Sequence, residues 1–430
     1  MKRISFVTLG CKTNQFESAA MAEAAAKEGL LIVPAHEQAD IVVINTCTVT
    51  ARTDAESRRL VRRARRENPS ARIVVAGCYS QLAPETFRDF PGVSLIIGNS
   101  EKRELMDLLQ ESDSGQLVKV SDISREETAT PLIIESFAEH TRAFMQVQNG
   151  CDSRCSYCIV PHVRGRSRSV PLESALEGIR AFARQSFREV VLTGIHLGAF
   201  GLDRQPPTSL FDLVSQAEQE RIVPRLRLGS IEPTEITDDL IRLMATAESI
   251  CPHLHIPLQS GNDRTLAAMN RPYTTGFFRK ITEKLAAAVP GIFIGTDIIA
   301  GFPGESDEDF QQGYCFLESL PMATFHVFPF SPRQGTPAAS MPGQVPANVI
   351  KERAEALRRL SEEKKRKFFE GFLGRELDVL IQEKGKNDTL KGLSRNYIPV
   401  ALPEGSAALN SEVKVKITEV EKDFVRGRLA

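Results

Sequence analysis

Apolar runs and helix-forming stretches alternate over the first hundred or so residues. The apolar runs read RISFVTLG, DIVVINT, ARIVVAG and VSLIIGN, and stretches such as NQFESAAMAEAAAKEGL lie between them. Continuous apolar runs of this length are typical of strands that are buried on both faces of a parallel sheet. The pattern therefore predicts an open parallel βαβ domain, which we place at residues 1–115.

A second, longer alternation runs from Arg142 to about Arg333. It contains six strand candidates separated by helical patterns: AFMQVQN, EVVLTGI, PRLRLGS, HLHIPLQ, IFIGTDIIAGF and TFHVFPF. Six strands at this spacing predict a partial or full βα barrel, expected within residues 137–367. The polar segment SDISREETATP, which precedes this alternation, is interpreted as a linker.

The C-terminal part of the chain changes character. A long charged helix is predicted for VPANVIKERAEALRRLSEEKKRKFFEGFLG, whose pattern ends at a glycine. After it, RELDVLIQ, TLKGLSRNYIPVAL, SEVKVKITEVE and DFVRGRLA alternate apolar and polar positions with a period of two. This predicts a small all-β module at residues 368–430, in the form of a five-stranded barrel. The expected fold class is α/β with an all-β barrel at its end.

Composition sets the broad class of the protein. The 430 residues are 42% hydrophobic and 25% charged, which is ordinary for a globular protein of two or three domains. The apolar run at the N-terminus is too short for a signal peptide, and no stretch reaches the roughly 18 apolar residues that a membrane span needs. We therefore expect a cytoplasmic protein with no membrane partner.

The formal net charge is −1, so overall basicity does not indicate a nucleic-acid partner. Three local clusters of basic residues could still contact phosphates, or they could be solvated helix faces. The C-terminal barrel leaves a similar choice between RNA and protein as its partner. The basic clusters are Arg58, Arg59, Arg62, Arg63, Arg65 and Arg66; Arg164, Arg166 and Arg168; and Lys364, Lys365, Arg366 and Lys367.

Three cysteines occur in one loop after the first strand candidate of the second alternation. Cys151, Cys155 and Cys158 have the spacing C-x3-C-x2-C. Iron–sulfur clusters are normally held by four thiolates, so three thiolates leave one iron of a four-iron cluster open to a substrate. A zinc site with His162 as fourth ligand is the competing interpretation, although structural zinc sites usually combine two separated cysteine pairs.

Another three cysteines are spread over the first alternation. Cys11, Cys47 and Cys78 each come directly after an apolar strand candidate. The carboxyl ends of neighbouring parallel strands converge on one crevice, so these thiols are expected to form a second three-ligand site. Cys251 and Cys315 lie in no motif and are expected to be packing residues.

The loop from Cys151 to Cys158 resembles the signature of radical S-adenosylmethionine (SAM) enzymes, and Tyr157 matches the aromatic residue before its last cysteine. The resemblance implies that the open iron binds SAM and that cluster reduction cleaves SAM to a 5′-deoxyadenosyl radical. Tyr157 and several residues at the ends of the barrel strands are expected to bind this cofactor. The strand-end residues are Thr193, Gly194, Glu232, Gln259, Gly295 and Gly301.

The motifs LGCKTNQFES, INTCTVT, AGCYSQ, QNGCDSRCSYCIVP, GIHLGAFG and FSPRQGTPA resemble those of the methylthiotransferases over nearly the whole chain. The resemblance implies an N-terminal domain whose Cys11, Cys47 and Cys78 hold an auxiliary 4Fe–4S cluster. It also implies a central radical SAM partial βα barrel with a second 4Fe–4S cluster on the loop cysteines, and a C-terminal TRAM barrel that binds RNA. All six cysteines are then catalytic residues.

Such a family uses SAM in two ways. By this resemblance, one SAM molecule methylates a sulfur at the auxiliary cluster, and another supplies the radical that removes hydrogen from an unactivated carbon. No polar acid or base can remove such a hydrogen, so a cofactor must do it. The implied partners are the tRNA anticodon loop, SAM, and an electron donor and a sulfur source that the sequence does not identify.

The first cysteine motif, TLGCKTNQFES, looks most like the branch that adds a methylthio group to carbon 2 of N6-threonylcarbamoyladenosine at position 37 of tRNA. It departs from that branch at Thr13, where valine is expected. Lys12, Asn14 and Gln15 suit the carboxylate of a threonylcarbamoyl group, or they cap the following helix or face water. The alternative functions are methylthiolation of isopentenyladenosine in tRNA, and an iron–sulfur scaffold or carrier.

Overall fold

The structure is a computed structural model that describes residues 1–112, 115–129, 141–385 and 389–430. The described residues form two compact units, each assembled from separated parts of the chain. The first unit contains the described residues of Met1–Phe137, Phe144–Val170 and Ser331–Ala339. The second unit contains those of Ala138–Ala143, Pro171–Phe330 and Ser340–Ala430.

A parallel sheet forms the centre of the first unit, with the strand order β2-β1-β3-β4-β5-β6. Its strands are β1 (Arg3–Thr8), β2 (Leu31–Ile32), β3 (Ile41–Thr46), β4 (Arg72–Gly77), β5 (Val93–Ile97) and β6 (Leu117–Lys119). Its helices are α1 (Lys12–Lys27), α2 (Ala51–Glu67), α3 (Cys78–Leu82) and α4 (Leu105–Glu111). The four predicted strands are present. The short strands β2 and β6 were not predicted, because two or three residues are too few to show an apolar run or an alternating pattern.

Both faces of this sheet are covered, which explains why its strands are apolar throughout. On β3, Val43 packs into the core that α1 and α4 cover, whereas Val42 and Ile44 pack into the core that α2 covers. Alternate side chains of a strand point to opposite faces, so a strand between two layers needs apolar residues at every position.

The remainder of the first unit surrounds the loop cysteines. Strands β8 (Gln148–Asn149) and β9 (Arg168–Ser169) pair antiparallel, and the short helix α5 (Val160–Arg164) lies between them. The predicted linker SDISREETATP begins with a 3-10 turn at Ile123–Arg125, in which Ile123 is 4% exposed. The linker prediction is therefore wrong for this turn, which packs into the unit. The last two residues of the segment lie outside the described residues.

The second unit contains parallel strands in consecutive order. These are β10 (Glu189–Thr193), β11 (Arg225–Leu228), β12 (His253–His255), β13 (Phe293–Ala300) and β14 (Thr324–Pro329); β7 (Arg142–Gln146) begins in this unit. Parallel bridges such as Ser230–His255 join β11 to β12. The helices are α6 (Leu172–Arg184), α7 (Leu210–Gln219), α8 (Asp238–Thr246), α9 (Asp263–Ala268), α10 (Thr275–Ala288), α11 (Asp307–Ser319) and α12 (Ala347–Glu370). This βα alternation confirms the prediction for the central part of the chain.

The chain ends in a closed barrel with the strand order β15-β16-β17-β19-β18. Its strands are β15 (Glu376–Lys384), β16 (Thr389–Ser394), β17 (Pro399–Pro403), β18 (Glu412–Val420) and β19 (Val425–Leu429). Inward-facing residues such as Val379, Ile381, Val400 and Val415 are fully or almost fully buried. The predicted five-stranded barrel is confirmed.

The barrel packs against the amino ends of the second unit's parallel strands. Glu189, the first residue of β10, accepts from Arg225 Nε and from Arg227 Nε, each at 2.7 Å, and none of the three residues is exposed. Arg225 also donates to Glu412 (2.9 Å), and Arg227 donates to Arg395 O (2.8 Å) in the barrel. We call Glu189, Arg225 and Arg227 the second ionic network, after the unit that contains it. This network fixes the barrel to the sheet.

Charge compensates for burial in the second ionic network. Burial alone would raise the pKa of Glu189, but Arg227 and Arg225 lower it to about 2. The carboxylate therefore stays ionised at neutral pH although no part of it reaches water.

Candidate active site

The first cysteine set lies at one edge of the first unit's sheet. Cys47 follows β3 directly, Cys78 follows β4 directly, and Cys11 lies three residues after the end of β1. Because β1, β3 and β4 are neighbours and run parallel, their carboxyl ends bring the three cysteines to the same edge. Cys47 and Cys78 are buried, whereas Cys11 is exposed.

Two glycines allow the backbone to pass close to these cysteines. Gly10 has a φ of +97°, and a Cβ at this position would lie 2.9 Å from Cys47 Sγ. Gly77 has a φ of +103°, and a Cβ there would lie 2.5 Å from Asn45 Oδ1. A side chain at either position would be strained and would push neighbouring segments apart. The sequence therefore places glycine immediately before Cys11 and Cys78.

Asn14 ties the Cys11 loop to the strand that leads into Cys47. Its amide donates to Leu9 O (2.6 Å) and to Thr46 O (3.0 Å), and the residue is 1% exposed. The prediction that Asn14 contacts a substrate carboxylate is wrong, because both of its N–H donors are used inside the protein. Its role is to hold two cysteine-bearing segments in register.

A buried ionic network lies beside Cys78. Arg164, the last residue of α5, is 1% exposed; its Nε donates to Cys78 Sγ at 3.3 Å, and its Nη atoms donate to Glu17 and Asn14. Lys102 Nζ lies 2.5 Å from Glu17 Oε2. We call Arg164, Glu17 and Lys102 the first ionic network. It contains two cations and one carboxylate, and Arg164 also donates to the neutral Asn14 and to the sulfur of Cys78.

Burial and charge oppose each other in this region. Burial alone would raise the pKa of Glu17, but Arg164 and Lys102 lower it below its usual value. Burial lowers the pKa of Lys102. Burial also disfavours the charged form of Arg164, but Cys78 and Glu17 raise its pKa well above the usual range. Burial raises the pKa of Cys47 to about 11. A neutral Cys47 thiol is thus favoured unless a positive centre binds it.

The second cysteine set lies in a loop whose ends are joined by β8 and β9. Gly150 has a φ of +72°, and a Cβ there would lie 1.8 Å from Arg166 O, so the two ends of the loop cross in backbone contact. Cys151 N donates to Gly165 O at 3.0 Å. The buried Gln148 amide donates to Gly150 O at 2.8 Å. These contacts fix the start of the loop independently of any bound group.

The remaining loop cysteines form a turn. Cys158 N donates to Cys155 O at 3.0 Å, and the half-buried Tyr157 lies within this turn. His162, the candidate fourth zinc ligand, is exposed on α5. Across the described ranges, no group of three or more His, Cys, Asp or Glu side chains converges closely enough to hold a single metal ion.

The donor chemistry of both sets fits iron–sulfur clusters. A four-iron cluster binds each thiolate through a different iron atom, so its ligands lie further apart than those around one ion. Each set provides three cysteines on constrained backbone, and the first set has a buried cation directed at one sulfur. Such a hydrogen bond to a ligating sulfur is one means by which proteins tune a cluster.

Residues 331–339, which carry most of the motif FSPRQGTPA, connect the two cysteine sets. Arg333 Nη2 donates to Thr48 Oγ1 and lies equally close, at 2.6 Å, to Asp54 Oδ2, next to the Cys47 segment. Ala338 N donates to Ser156 O in the cysteine loop at 2.8 Å. We call residues 331–339 the strap. The motif is visible in the sequence, but the contacts that it makes are not.

The predicted cofactor residues Thr193, Gly194 and Glu232 lie at the carboxyl ends of β10 and β11 in the second unit. Thr193 is the last residue of β10, and Gly194 follows it. Glu232 accepts a short hydrogen bond from Arg271 Nη2, and burial raises the pKa of Glu232. Glu232 therefore already has a cationic partner within the protein.

The predicted cofactor residues Gln259, Gly295 and Gly301 belong to the neighbouring strands. Gln259, with a φ of +72°, lies after β12, and Gly301, with a φ of +75°, follows β13 directly. Gly295 is the third residue of β13 and pairs with His255 on one side. The expectation that Gly295 lies at a strand end is wrong, because the apolar run continues through it to Ala300.

Two polar pairs in the second unit were not predicted from the sequence. His196 Nε2 lies 2.6 Å from Glu235 Oε1, and His255 Nε2 lies 3.0 Å from Asp297 Oδ1. His196 belongs to the motif GIHLGAFG, so a signal for it was available. The pairing of His255 with Asp297 could not be foreseen, because it depends on the register of β12 and β13.

The predicted basic clusters are only partly used inside the protein. Their exposed members are Arg59, Arg62, Arg63, Arg66, Arg166, Arg366 and Lys367. Arg164 and Arg168 are 1% and 5% exposed, so the predictions of phosphate contact and of a solvated face are both wrong for them. In the first cluster, Arg58 donates to Tyr79 Oη at 2.6 Å. In the third, Lys364 donates to the carbonyl oxygens of Glu318 and Leu320.

Comparison with known proteins covers most of the chain. The model of the Uncharacterized protein family UPF0004 matches residues 3–98, that of the Radical SAM superfamily matches residues 145–314, and that of the TRAM domain matches residues 372–430. The threonylcarbamoyladenosine tRNA methylthiotransferase MtaB of Aquifex aeolicus is 36% identical over 417 residues, which are 96% of this chain and 100% of that protein.

More distant relatives follow. The tRNA-2-methylthio-N(6)-dimethylallyladenosine synthase of Carboxydothermus hydrogenoformans is 32% identical over 450 residues, covering 100% of this chain and 99% of that protein. A solved structure of the radical SAM methyltransferase TsrM from Kitasatospora setae, with cobalamin and a [4Fe-4S] cluster bound, superposes with a TM-score of 0.55 at 17% identity. It covers 84% of this chain and 85% of that one, and it shows a shared fold.

The described part of the chain has no helix that is both long and apolar enough to cross a membrane. The three matched models occur in the order predicted from the motifs. Relatives at 34–36% identity over their full or nearly full length carry one name. The chain therefore belongs to the radical SAM methylthiotransferases, in the threonylcarbamoyladenosine tRNA methylthiotransferase family.

Proposed function

We propose that this protein adds a methylthio group to carbon 2 of N6-threonylcarbamoyladenosine at position 37 of tRNA. One observation carries the proposal: two sets of three cysteines lie in one compact unit, where Arg164 and the strap connect them. A protein that only carries clusters needs no such connection between two ligand sets. The same arrangement suits an enzyme in which both clusters act on one substrate.

The six cysteines are the proposed cluster ligands. Cys11, Cys47 and Cys78 would hold the auxiliary 4Fe–4S cluster, and the loop cysteines would hold the cluster that binds SAM. When bound, these cofactors supply the carbon-centred radical and the methylthio group. The protein residues hold the ligands in place: Asn14 fixes the Cys11 loop, and Gly150 allows the cysteine loop to close.

SAM contacts are proposed for Tyr157 in the loop and for residues at the carboxyl ends of the strands. Thr193, Gly194, Gln259 and Gly301 fit this role by position, because active sites in βα folds are built at that end of the strands. Glu232 and Gly295 belong to the same proposal. Glu232 would act as part of its pair with Arg271, and Gly295 would act by keeping the interior of β13 free of a side chain.

Binding of the threonylcarbamoyl carboxylate is assigned to Lys12 and Gln15. Both follow Cys11 at the start of α1, and Gln15 is exposed. A carboxylate there would also lie near the positive end of the α1 dipole. The remaining partners are tRNA, SAM, an electron donor and a sulfur source, and the reaction would take place in the cytoplasm.

The substrate is tested by anaerobic reaction of the reconstituted protein with two tRNAs. One carries threonylcarbamoyladenosine at position 37 and the other carries isopentenyladenosine. Mass spectrometry of the nucleosides should detect the methylthio product only in the first. Turnover of the second alone would assign the protein to the isopentenyl branch. If the protein does not cleave SAM with either tRNA, the result would favour a cluster carrier.

The ligand assignment is tested by counting iron. The reconstituted chain should hold about eight irons, because each three-cysteine set fits one four-iron cluster. Combined change of Cys151, Cys155 and Cys158 to alanine should halve the iron and abolish SAM cleavage. Combined change of Cys11, Cys47 and Cys78 should also halve the iron but leave SAM cleavage measurable. Full iron content in the latter variant would refute the auxiliary site.

A further inference from the structure

Arg164 belongs by sequence to the second cysteine set and by contact to the first. It lies six residues after Cys158, at the end of α5. Its side chain reaches Cys78 at the end of β4, and it also reaches Glu17 and Asn14 on α1, the helix that follows Cys11. Among the described residues it ranks with the largest fully buried side chains. The contacts are therefore enclosed and are not exchanged with water.

The charges around Arg164 do not cancel within the first ionic network. Arg164 and Lys102 each carry a positive charge, and Glu17 carries the only negative charge in the network. An isolated buried charge is strongly unfavourable unless a partner compensates it. Besides Glu17 and the neutral Asn14, Arg164 donates through Nε to Cys78 Sγ at 3.3 Å. An uncharged thiol is a weak acceptor, so this geometry suits a sulfur that carries negative charge.

We propose that Arg164 is a positioning residue for the auxiliary cluster, which orients the Cys78 sulfur and raises the reduction potential of the cluster held there. The proposal rests on the cluster assignment made above. Cluster potentials depend on net charge, on hydrogen bonds to the sulfurs and on exposure to solvent. Arg164 contributes to the first two, because it brings a permanent positive charge and an N–H donor to a ligating sulfur. Helix α5 thereby links the electronic state of one site to the backbone of the other.

The alternative role is structural: Arg164 could simply pack α5 against α1. A structural residue would affect folding and iron retention but would not shift the potential of a cluster that is retained. A second substitution in the same network should shift the reduction potential in the opposite direction. Replacing Glu17 by glutamine removes the negative charge without touching the sulfur, so it should raise the potential that loss of Arg164 lowers.

The test uses the full-length chain with Cys151, Cys155 and Cys158 changed to alanine, so that only the auxiliary site is loaded. Midpoint potentials are measured by anaerobic redox titration, followed by electron paramagnetic resonance. Arg164→Gln should lower the potential by about 59 mV, which is tenfold in a one-electron equilibrium constant. Arg164→Lys keeps the charge and should recover part of the shift. Glu17→Gln should raise the potential.

The matched control is Arg166→Gln, an exposed arginine two residues further along the same loop, which should leave the potential unchanged. If the parent chain holds about four irons and Arg164→Gln has an unchanged potential, the inference is overturned. If Arg164→Gln does not fold, the sign of the Glu17→Gln shift decides, and no increase overturns the inference. Absence of iron from the parent chain would instead refute the cluster assignment.

Discussion

The two ionic networks have a similar core but are completed by different groups. Each has two buried cations around one carboxylate: Arg164 and Lys102 around Glu17 in the first unit, and a pair of β11 arginines around Glu189 in the second. Around the second, the partly exposed Arg142 also lies 3.5 Å from Glu189, and Glu412 adds a carboxylate. In the second network, the remaining donors reach Glu412 and carbonyl oxygens of the barrel. In the first, the donors of Arg164 that do not contact Glu17 reach Asn14 and the sulfur of Cys78.

This difference separates a structural network from one built for a cofactor. The second network is complete within the protein, so its stability does not depend on anything that binds. The first leaves positive charge facing a cysteine, so it is complete only when that sulfur carries negative charge. Burial and charge count alone do not distinguish the two networks. The group that accepts the outermost hydrogen bonds distinguishes them.

The largest expected effect comes from breaking the second network. Glu189→Gln leaves two buried guanidinium groups without their shared carboxylate, and it should lower the free energy of unfolding by about 3–5 kcal/mol. The loss should be the same with and without iron. Urea unfolding followed by tyrosine fluorescence measures it, because Tyr397 contacts Arg227 and His253 beside the network.

The control for Glu189→Gln is Glu177→Gln, which affects an exposed carboxylate on α6 and should leave the unfolding free energy unchanged. A loss that appears only in the iron-loaded protein would remove the distinction between the two networks.

A smaller effect, which differs between the iron-free and the iron-loaded protein, is expected from Lys102→Met. This change removes the excess charge of the first network but leaves the Arg164–Glu17 pair intact. The iron-free protein should be stabilised by about 2 kcal/mol, because a buried cation is replaced by an apolar chain of similar length. The iron-loaded protein should gain less or lose stability.

Thermal unfolding of both forms measures this effect, with Arg103→Met, a more exposed neighbour, as the control. Equal stabilisation of the two forms would mean that the first network does not respond to the cluster.

The strap contributes to a third ionic contact, in which one cation and one carboxylate balance each other. Asp54→Asn removes the carboxylate that pairs with Arg333 and weakens the attachment of the strap to the Cys47 segment. A hydrogen bond between charged groups contributes about 1.5–3 kcal/mol, so iron should be lost to a chelator about tenfold faster or more. Asp307→Asn, which changes an exposed carboxylate paired with Arg353 in the second unit, is the control. Unchanged iron release would show that the strap does not hold the sites.

The smallest effect is expected from exposed charges on the barrel. Lys416 and Arg428 are exposed and lie opposite each other on β18 and β19, so they present two adjacent cations to a phosphate; Glu376 on β15 lies opposite Lys416 on its other side. Changing either to glutamine should weaken tRNA binding severalfold and reduce the salt slope by about one per lost phosphate contact. Lys391→Gln, whose lysine pairs with Glu383, is the control. An unchanged salt slope would indicate that tRNA does not bind at this face of the barrel.

These surface changes are preferable to deleting the barrel. Removal of residues 375–430 would leave Arg225 and Arg227 without their barrel acceptors, so its effects would mix RNA binding with destabilisation of the second unit.

Local patterns in the sequence predicted the strands, the barrel and the placement of the cysteines after strands. Long-range contacts were not predicted. Arg164 lies in a run of alternating arginines that looks solvent-exposed, and nothing local shows that Glu17 lies beside it, 147 residues away in sequence. The strap is equally hidden, because its partners Thr48 and Asp54 lie about 280 residues upstream. Asn14 was misassigned because a polar residue after a cysteine gives no indication of burial.

The discontinuous first unit has a consequence for synthesis of the protein. Its sheet is complete once residue 119 has been translated. The strap, which contacts the Cys47 segment, ends only at Ala339. A ribosome that adds about 5–20 residues per second needs roughly 10–50 s to proceed from Cys78 to that point. During this interval Thr48 and Asp54, next to the Cys47 segment, lack the contacts with Arg333 that the finished unit has. The attachment of this segment to the strap can therefore form only after the strap has been translated.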